Sequence, residues 1–384
     1  MRTIATIGRR IPLKIDTLLV KVASRCNINC SYCYVYNMGD DGWKDMPALI
    51  SRDTIAALCR ALTEFSGEQA SPFAVVLHGG EPLMMGARRL QYLLQSLRSA
   101  LPNDHVICMQ TNGMLISDEI LDICDTYRVS ISVSIDGPQK INDRFRIGKK
   151  GESTFDKVID GISKLREHQS SKFLFSGVLA VIDPTSDPAD VYAFLKNLGP
   201  PSLDFLYRDG NHSNLPFGKD SFESVEYGLW LSGLLDVYLA DPTPVRIRFL
   251  DDMIKLALGG RGIKEGLGQS EYGIAVIETD GSISKNDTLK SSFCGADKFA
   301  EPWSLHRDRL AAIVTSTQFE SYHALQRPTA VQCQSCPHLD VCGGGMPLHR
   351  WMTGTDFDNP SVYCNDQKFI INQVKQKLAS EGLV

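Results

Sequence analysis

The sequence predicts an α/β fold, a parallel sheet with its helices outside, followed by a loop-rich segment that needs a metal or cluster to hold it together. Three observations predict this. Strand-like and helix-like stretches alternate from Leu18 to about Ala180. The polar motifs of that stretch each follow the end of a predicted strand, the edge at which α/β folds bind ligands. Seven of the eleven cysteines fall in two tight groups, Cys26/Cys30/Cys33 and Cys333/Cys336/Cys342/Cys364.

Leu18–Ala23 is a short β-rich run ending in the first cysteine loop. Ser51–Phe65 opens on a Ser cap and carries apolar residues at helical spacing. Phe73–His78 reads as a strand that stops at Gly79-Gly80-Glu81-Pro82, and Arg88–Leu101 as a helix. Val106–Gln110 is a strand ending at Thr111-Asn112-Gly113, and Ser117–Tyr127 a helix. Val129–Ile135 is a strand ending at Asp136-Gly137-Pro138; Thr154–Glu167 reads as helix and Phe173–Ile182 as strand. Beyond Pro184 the rhythm loosens. Asp183–Asp190 and Gly199–Pro216 are rich in Pro, Gly and Asn and read as loops. Ser221–Leu239 is expected to be a helix, Glu271–Ser284 a hairpin turning at Asp280-Gly281, and Asp366–Ala379 a closing helix. Cys333–Cys364 has little regular patterning and cannot pack on its own apolar surface, so it needs a ligated site.

A chain of 384 residues, 43% apolar and 22% charged, suits one large α/β unit with a smaller appendage. A net charge of −5 gathers no phosphate backbone, so no nucleic-acid partner is expected. No run of 18 apolar residues is present and Met1–Arg10 has no apolar core of a signal peptide, so no membrane partner and a cytoplasmic location are expected. A reducing compartment disfavours disulfides, and an odd cysteine count fits pairing poorly; clustered thiolates then point to ligation. Cys59, Cys108 and Cys124 are expected to be buried, inert thiols. The eight His residues form no pair at metal-ligand spacing; His78, beside Gly79, either lines the pocket or packs.

In Ser24-Arg25-Cys26-Asn27-Ile28-Asn29-Cys30-Ser31-Tyr32-Cys33-Tyr34, three thiolates on one loop can wrap three irons of a [4Fe–4S] cube. The missing fourth ligand leaves one iron open. A three-cysteine zinc site and unligated thiols are the alternatives. Asn27, Asn29 and Ser31 can donate to cluster sulfurs, and Tyr32 can shield one face. This loop resembles the CxxxCxΦC signature of the radical S-adenosylmethionine (SAM) superfamily, with Tyr32 the aromatic residue. The resemblance implies that the open iron chelates the amine and carboxylate of SAM, and that SAM cleavage yields a 5′-deoxyadenosyl radical. It implies a partial (β/α)6 TIM-like barrel. It further implies that Gly79, Gly80 and Glu81, similar to the family's GGE motif, hold the SAM amino group and that Asn112 lines the site. Ser134, in an element similar to SxDGP, would contact the ribose or carboxylate; Asp136 contacts the ligand or caps the turn. Arg146 would pair with the SAM carboxylate; the alternative is a solvated surface Arg.

By spacing alone, Cys333-x2-Cys336-x5-Cys342-x21-Cys364 is compatible with a four-thiolate zinc site or a [4Fe–4S] cluster. The pattern resembles the SPASM extension of peptide-modifying radical SAM enzymes, which implies that these four residues hold an auxiliary [4Fe–4S] cluster. A full SPASM domain has seven cysteines and two auxiliary clusters. Here Met346 and Asn286 stand at two of the expected cysteine positions and Cys294 alone cannot replace them, so one auxiliary cluster is expected, two clusters in all. Asp287 stands where some relatives keep an acidic base near the substrate; a surface Asp is the alternative.

The resemblance covers roughly residues 17–366. It divides the chain into an N-terminal segment 1–16, a radical SAM core 17–225, a helical bridge 226–270, a reduced SPASM domain 271–365 and a C-terminal helix 366–384. Residues 1–16 are too few for a full leader-peptide recognition domain, though an edge strand there could pair with a leader. The wording around the cysteine loops looks most like maturases that crosslink an aromatic ring to a nearby β-carbon, forming cyclophanes in ribosomally made peptides. The implied partners are a precursor peptide and a reducing donor such as flavodoxin or ferredoxin. Two rivals stand beside this: an anaerobic sulfatase-maturing enzyme, which normally keeps both auxiliary clusters, and a non-catalytic iron–sulfur or zinc protein, which gains nothing from an open iron.

Overall fold

A computed structural model of the protein describes residues 14–383. The edge strand considered for the N-terminal segment lies outside the described residues.

Six strands run parallel in chain order: β1 (Thr17–Ala23), β2 (Ala74–Gly79), β3 (Ile107–Thr111), β4 (Val129–Ser134), β5 (Phe175–Val181) and β6 (Ser202–Leu206). β7 (Arg246–Ile247) continues the sheet beyond β6. On the other side, β8 (Ile274–Ile277) pairs parallel with β1, β9 (Ser282–Ser284) antiparallel with β8, and β10 (Trp303–Ser304) antiparallel with β9. The strand order is β10-β9-β8-β1-β2-β3-β4-β5-β6-β7, and its two ends do not pair, so the sheet is unclosed. The predicted hairpin forms with Gly281 at φ 84° in its turn, but it does not stand apart: it extends the core sheet at β1.

Crossover helices α1 (Arg52–Glu68), α2 (Ala87–Ala100), α3 (Asp118–Thr126), α4 (Phe155–Glu167) and α5 (Pro188–Asn197) follow strands β1 to β5. Their starts are chemically marked. The Ser51 and Ser117 hydroxyls accept from the Thr54 and Ile120 amides, and Asp187 accepts from Ala189 with Pro188 in the first turn. α1 buries Ile55, Leu58, Leu62 and Phe65 at helical spacing against a sheet whose Leu18, Val20, Val75, Leu77, Ile131 and Val133 are fully buried. Each such side chain contributes about 1.5–3 kcal/mol of burial. Farther on, α6 (Glu226–Ala240) and α7 (Arg248–Ala257) pack against α8 (Cys364–Ser380). No helix among the described residues is long and apolar enough to cross a membrane.

The sequence reading of Gly199–Pro216 as a loop is corrected by β6. Its Ser-Leu-Asp-Phe-Leu places Asp204 mid-strand, where alternation fails; Asp204 is buried and paired with Lys264 Nζ at 2.6 Å. The stretch Asp183–Asp190 likewise holds the start of α5, and the helix expected from Ser221 begins only at Glu226.

Candidate active site at the strand-end rim

The first cysteine loop leaves β1 and is clamped from two sides. On one side the Asn29 and Ser31 amides donate to the Ile147 and Phe145 carbonyls, at 2.8 and 2.9 Å, so the loop lies along the segment that carries Arg146. On the other, the Gly80 amide donates to Ala23 O and the Glu81 amide to Arg25 O, at 2.8 and 3.0 Å. The glycine pair is required by this contact. A Cβ on Gly79, whose φ is +142°, would lie 2.0 Å from Ala23 O; one on Gly80 would lie 2.0 Å from Tyr36 Oη and 2.3 Å from Arg25 O. What the missing side chains admit is the cysteine loop itself.

Glu81 is 1% exposed, and its carboxylate ties the ends of β2 and β3 together. Oε1 accepts from the Leu83 amide and the Thr111 hydroxyl, at 3.0 and 2.6 Å, and Oε2 from the Asn112 amide at 2.8 Å. Burial outweighs these donors and raises its carboxyl above the usual range. Asn112 reaches the cysteine loop directly: its Nδ2 donates to Asn27 Oδ1 at 2.7 Å and points at Cys26 Sγ at 3.8 Å. Ser134 Oγ accepts from Gln110 Nε2 at 2.8 Å.

Tyr32, Asp136 and Arg146 form a connected triad. The Tyr32 hydroxyl donates to Asp136 Oδ2 at 2.7 Å and accepts from Arg146 Nη1 at 2.8 Å. Asp136 is not a turn cap: its other oxygen accepts from the Val181 amide of β5 at 3.1 Å. Arg146 is 6% exposed, which corrects the surface alternative, and its buried Nε has no partner among the described residues. A guanidinium held by one side with a donor unspent fits an anionic ligand such as a carboxylate.

Burial pushes the Cys26 thiol up to about 11 and Cys33 up to about 12, and raises Cys30 as well. Such thiols ionise only when a cation compensates them, and metal binding then releases their protons. Among the described residues, no three cysteine sulfurs approach within 4.8 Å of one another. Thiolates around one zinc would sit about 3.8 Å apart, given Zn–S near 2.3 Å in a tetrahedron. The wider spacing fits a cluster, in which each thiolate takes a different iron.

The second group lies near the start of the last helix. Cys333 and Cys364 are buried, Cys336 and Cys342 partly so, and all four act electrostatically on one another. Cys364 opens α8, whose N-terminus favours negative charge. Gly343, Gly344 and Gly345 all have positive φ, and a Cβ on Gly343 would meet Gly268 O at 1.9 Å, so only glycine lets the chain turn away from Cys342. The two positions lacking cysteine are otherwise engaged. Asn286 donates to Glu265 Oε1 at 2.7 Å and caps the turn at Thr288, while Met346 packs on Gly266. Cys294 is exposed and Cys124 buried, but Cys59 and Cys108 are only partly buried, contrary to expectation.

Asp287 is 2% exposed and is no surface residue. It belongs to a buried charge cluster that sequence reasoning missed. Lys21 Nζ lies 2.9 Å from Asp287 Oδ1 and 3.0 Å from Glu278 Oε1, and Lys290 Nζ lies 2.7 Å from Asp297 Oδ2 and 3.6 Å from Asp40 Oδ1. The available signal was Lys21 itself, a charge in the middle of an apolar strand. The cluster ties β1, just before the cysteine loop, to the segment after β9.

Residues 20–197 match the model of the Radical SAM superfamily. The chain is 25% identical over 362 residues, 87% of its length and 83% of the relative's, to a serine-type anaerobic sulfatase-maturating enzyme of Bacteroides thetaiotaomicron. It is 23% identical over 382 residues, 95% and 97% of the two lengths, to a cysteine-type enzyme of Clostridium novyi. Among solved structures, native anSMEcpe with bound AdoMet superposes at a TM-score of 0.80 with 19% identity, over 95% of this chain and 98% of that one. Streptococcus suis SuiB bound to precursor peptide SuiA superposes at 0.60 with 14% identity, over 91% and 75%. At these identities the structural likeness concerns the fold. With the three-cysteine loop, the buried Glu81 and Arg146 at the strand ends and the matched model, residues 20–197 are a radical SAM domain, and the protein is a radical SAM enzyme whose cofactors are SAM and iron–sulfur clusters.

Proposed function

We propose that this enzyme oxidises a ribosomally made precursor peptide at a side-chain β-carbon and joins that carbon to a nearby aromatic ring, forming a cyclophane. The observation that supports the reading is the cysteine set itself, three on the loop after β1 and four between Cys333 and Cys364, with the engaged Asn286 and Met346 at two positions where a fuller set would have cysteine. Cys26, Cys30 and Cys33 would hold the SAM-binding [4Fe–4S] cluster, and Cys333, Cys336, Cys342 and Cys364 one auxiliary cluster. When bound, the first cluster and SAM supply the 5′-deoxyadenosyl radical that takes hydrogen from the peptide. The chain's part is to orient and exclude water. Gly79, Gly80 and Glu81 would present the rim to the SAM amino group, Asn112 and Ser134 would line its nucleoside side, Tyr32 would cover the cluster, and Arg146 would face the SAM carboxylate with its free donor. Asp287 would act as base only by leaving Lys21, which holds it at 2.9 Å. A flavodoxin or ferredoxin in the cytoplasm would supply the reducing electron.

A second reading is formylglycine formation in a sulfatase, favoured by the near full-length likeness to sulfatase-maturating enzymes. Both reactions begin at a β-carbon, so one assay separates them. Reconstituted enzyme is incubated with a synthetic library pairing one Trp or Tyr with Cβ-deuterated Asn, Lys, Ser or Cys at short spacing. Crosslinking is expected to remove two hydrogens, block backbone fragmentation between the joined residues and leave no hydrazide-reactive group. A hydrazide adduct on Ser or Cys would favour formylglycine instead. Unchanged mass throughout, or solvent deuterium at an α-carbon, would sink both.

A further inference from the structure

The loop after β6 carries a carboxyl that neither cysteine site uses. Asp209 lies just past Leu206, the last residue of β6, on the rim that also bears the first cysteine loop and Glu81. Its neighbours are pinned. The Arg208 guanidinium stacks over the rings of Tyr32, Phe145 and Phe217, at 5.1, 4.0 and 5.0 Å from their centroids. The Arg208 carbonyl accepts from Tyr363 Oη at 2.5 Å, and Asn211 Nδ2 donates to Ser291 O at 3.0 Å. With both flanks fixed, the position of Asp209 is fixed. Through Arg208 the segment is joined both to Tyr32 of the first cysteine loop and to Tyr363, next to Cys364.

Asp209 makes no side-chain hydrogen bond or ion pair among the described residues. Of the other carboxylates nearby, Glu81 accepts from three donors and Asp136 from Tyr32 and Val181, while Asp287 is held as an ion pair by Lys21 at 2.9 Å. Burial raises the Asp209 carboxyl to about 7 against the pull of Arg208. An unpaired carboxyl of that kind beyond the strand-end rim is suited to proton transfer.

We propose that Asp209 is the base that accepts the proton released when the peptide radical is oxidised. The proposal rests on the reading of the enzyme as a peptide β-carbon oxidase. A hydrogen atom leaves Cβ for the adenosyl radical, giving 5′-deoxyadenosine, and the carbon radical bonds to a ring carbon. Restoring aromaticity breaks that ring carbon's C–H bond: Asp209 takes the proton, and the auxiliary iron–sulfur cluster that Cys333, Cys336, Cys342 and Cys364 would hold would accept the one electron. The peptide loses two hydrogens, one as an atom and one as a proton and an electron. In the formylglycine reaction the same carboxylate would take the hydroxyl or thiol proton of the β-carbon radical.

The test compares reconstituted wild type, Asp209→Asn, Asp209→Glu and Asp287→Asn on whichever library peptide the wild type modifies. Peptide binding, deuterium transfer to 5′-deoxyadenosine and modified peptide per 5′-deoxyadenosine are measured. The wild-type-minus-Asp209→Asn infrared carboxyl spectrum of the reconstituted enzyme is recorded from about pH 5 to pH 9, bracketing the raised carboxyl. Asp209→Asn should bind peptide and transfer deuterium normally, yet give about 10²-fold less modified peptide per 5′-deoxyadenosine, with partial recovery in Asp209→Glu. The infrared difference should show a carboxyl titrating near neutrality. A wild-type product ratio in Asp209→Asn, or loss of product only in Asp287→Asn, overturns the proposal. If the wild type modifies no library peptide, the peptide reading fails on its own. The infrared band then decides: its presence upholds the poised carboxyl, its absence overturns it.

Discussion

Gly80→Ala should disable the enzyme through a single methyl group. Gly80 has no left-handed backbone, so strain of φ does not enter; the effect is steric. The new Cβ would stand 2.3 Å from Arg25 O and 2.4 Å from Arg25 C, backbone atoms one residue before Cys26, where ordinary contact begins near 3.4 Å. Tyr36 Oη, at 2.0 Å, is the end of a side chain and can swing away, but the backbone cannot. Relief therefore requires the start of the cysteine loop to move by about 1 Å, which also breaks the 3.0 Å bond from the Glu81 amide to Arg25 O. Overpacking of this kind costs about 1–3 kcal/mol. A shift of about 1 Å in a positioned reacting group costs about 10²-fold in rate. Gly67→Ala is the matched control: nothing lies within 4 Å of its Cβ and it sits in α1, where Ala is favoured by about 0.5–1 kcal/mol. The assay is iron content after reconstitution and 5′-deoxyadenosine formed per minute after dithionite reduction, with chemical denaturation beside them. Gly80→Ala should lose roughly 10²-fold in 5′-deoxyadenosine and unfold earlier, while Gly67→Ala keeps full activity. Wild-type SAM cleavage in Gly80→Ala would refute the account of the glycine pair as the seat of the cysteine loop.

Cys364→Ser should lower iron from about eight to about four per chain, with SAM cleavage retained and modified peptide lost; zinc bound in place of iron at this site would contradict the cluster reading. Tyr32→Phe removes the hydroxyl between Asp136 and Arg146, two charge-assisted bonds of 2.7 and 2.8 Å, and calorimetry should show SAM affinity falling about tenfold. Glu265 has its carboxyl raised by burial to about 7, against the Asn286 amide that donates to it. The folded state thus holds a proton that the unfolded state has lost, and wild-type stability falls as pH rises from the ordinary Glu range through about 7. Glu265→Gln, which keeps the acceptor, should unfold at a higher urea midpoint than wild type at pH 8 and show no such advantage at pH 4.5; equal gaps at both would discount the buried charge. Lys21→Met leaves Glu278 and Asp287 without their shared cation and should cost about 3–5 kcal/mol in urea denaturation, a loss that an exposed pair would not produce.

Sequence by itself determined the parts that local chemistry dictates. Strand-like runs placed five of the six core strands, Ser51 and Ser117 marked helix starts, and the two cysteine spacings singled out the candidate ligands, because thiolates on one short loop have few other uses. The motifs at the strand ends were legible because a parallel sheet puts every strand's C-terminal end on one rim. Tertiary structure decided what depends on partners distant in sequence. β6 was hidden by Asp204, which only Lys264 makes tolerable in the sheet. The hairpin's place beside β1 came from pairing between residues more than 250 positions apart. Gly79 and Gly80 were visible as glycines, but what they admit, the backbone at Ala23 and Arg25, was not. Asp136 and Arg146 could be singled out in the sequence, yet their joining through the Tyr32 hydroxyl required the cysteine loop to be folded onto Phe145–Ile147. Lys21 was visible as a charge in an apolar strand and Asp287 as a candidate base or a surface residue, but their pairing was not. Burial made them a pair, since a charge leaves water only where an opposite charge meets it, and no local pattern records which opposite charge that will be.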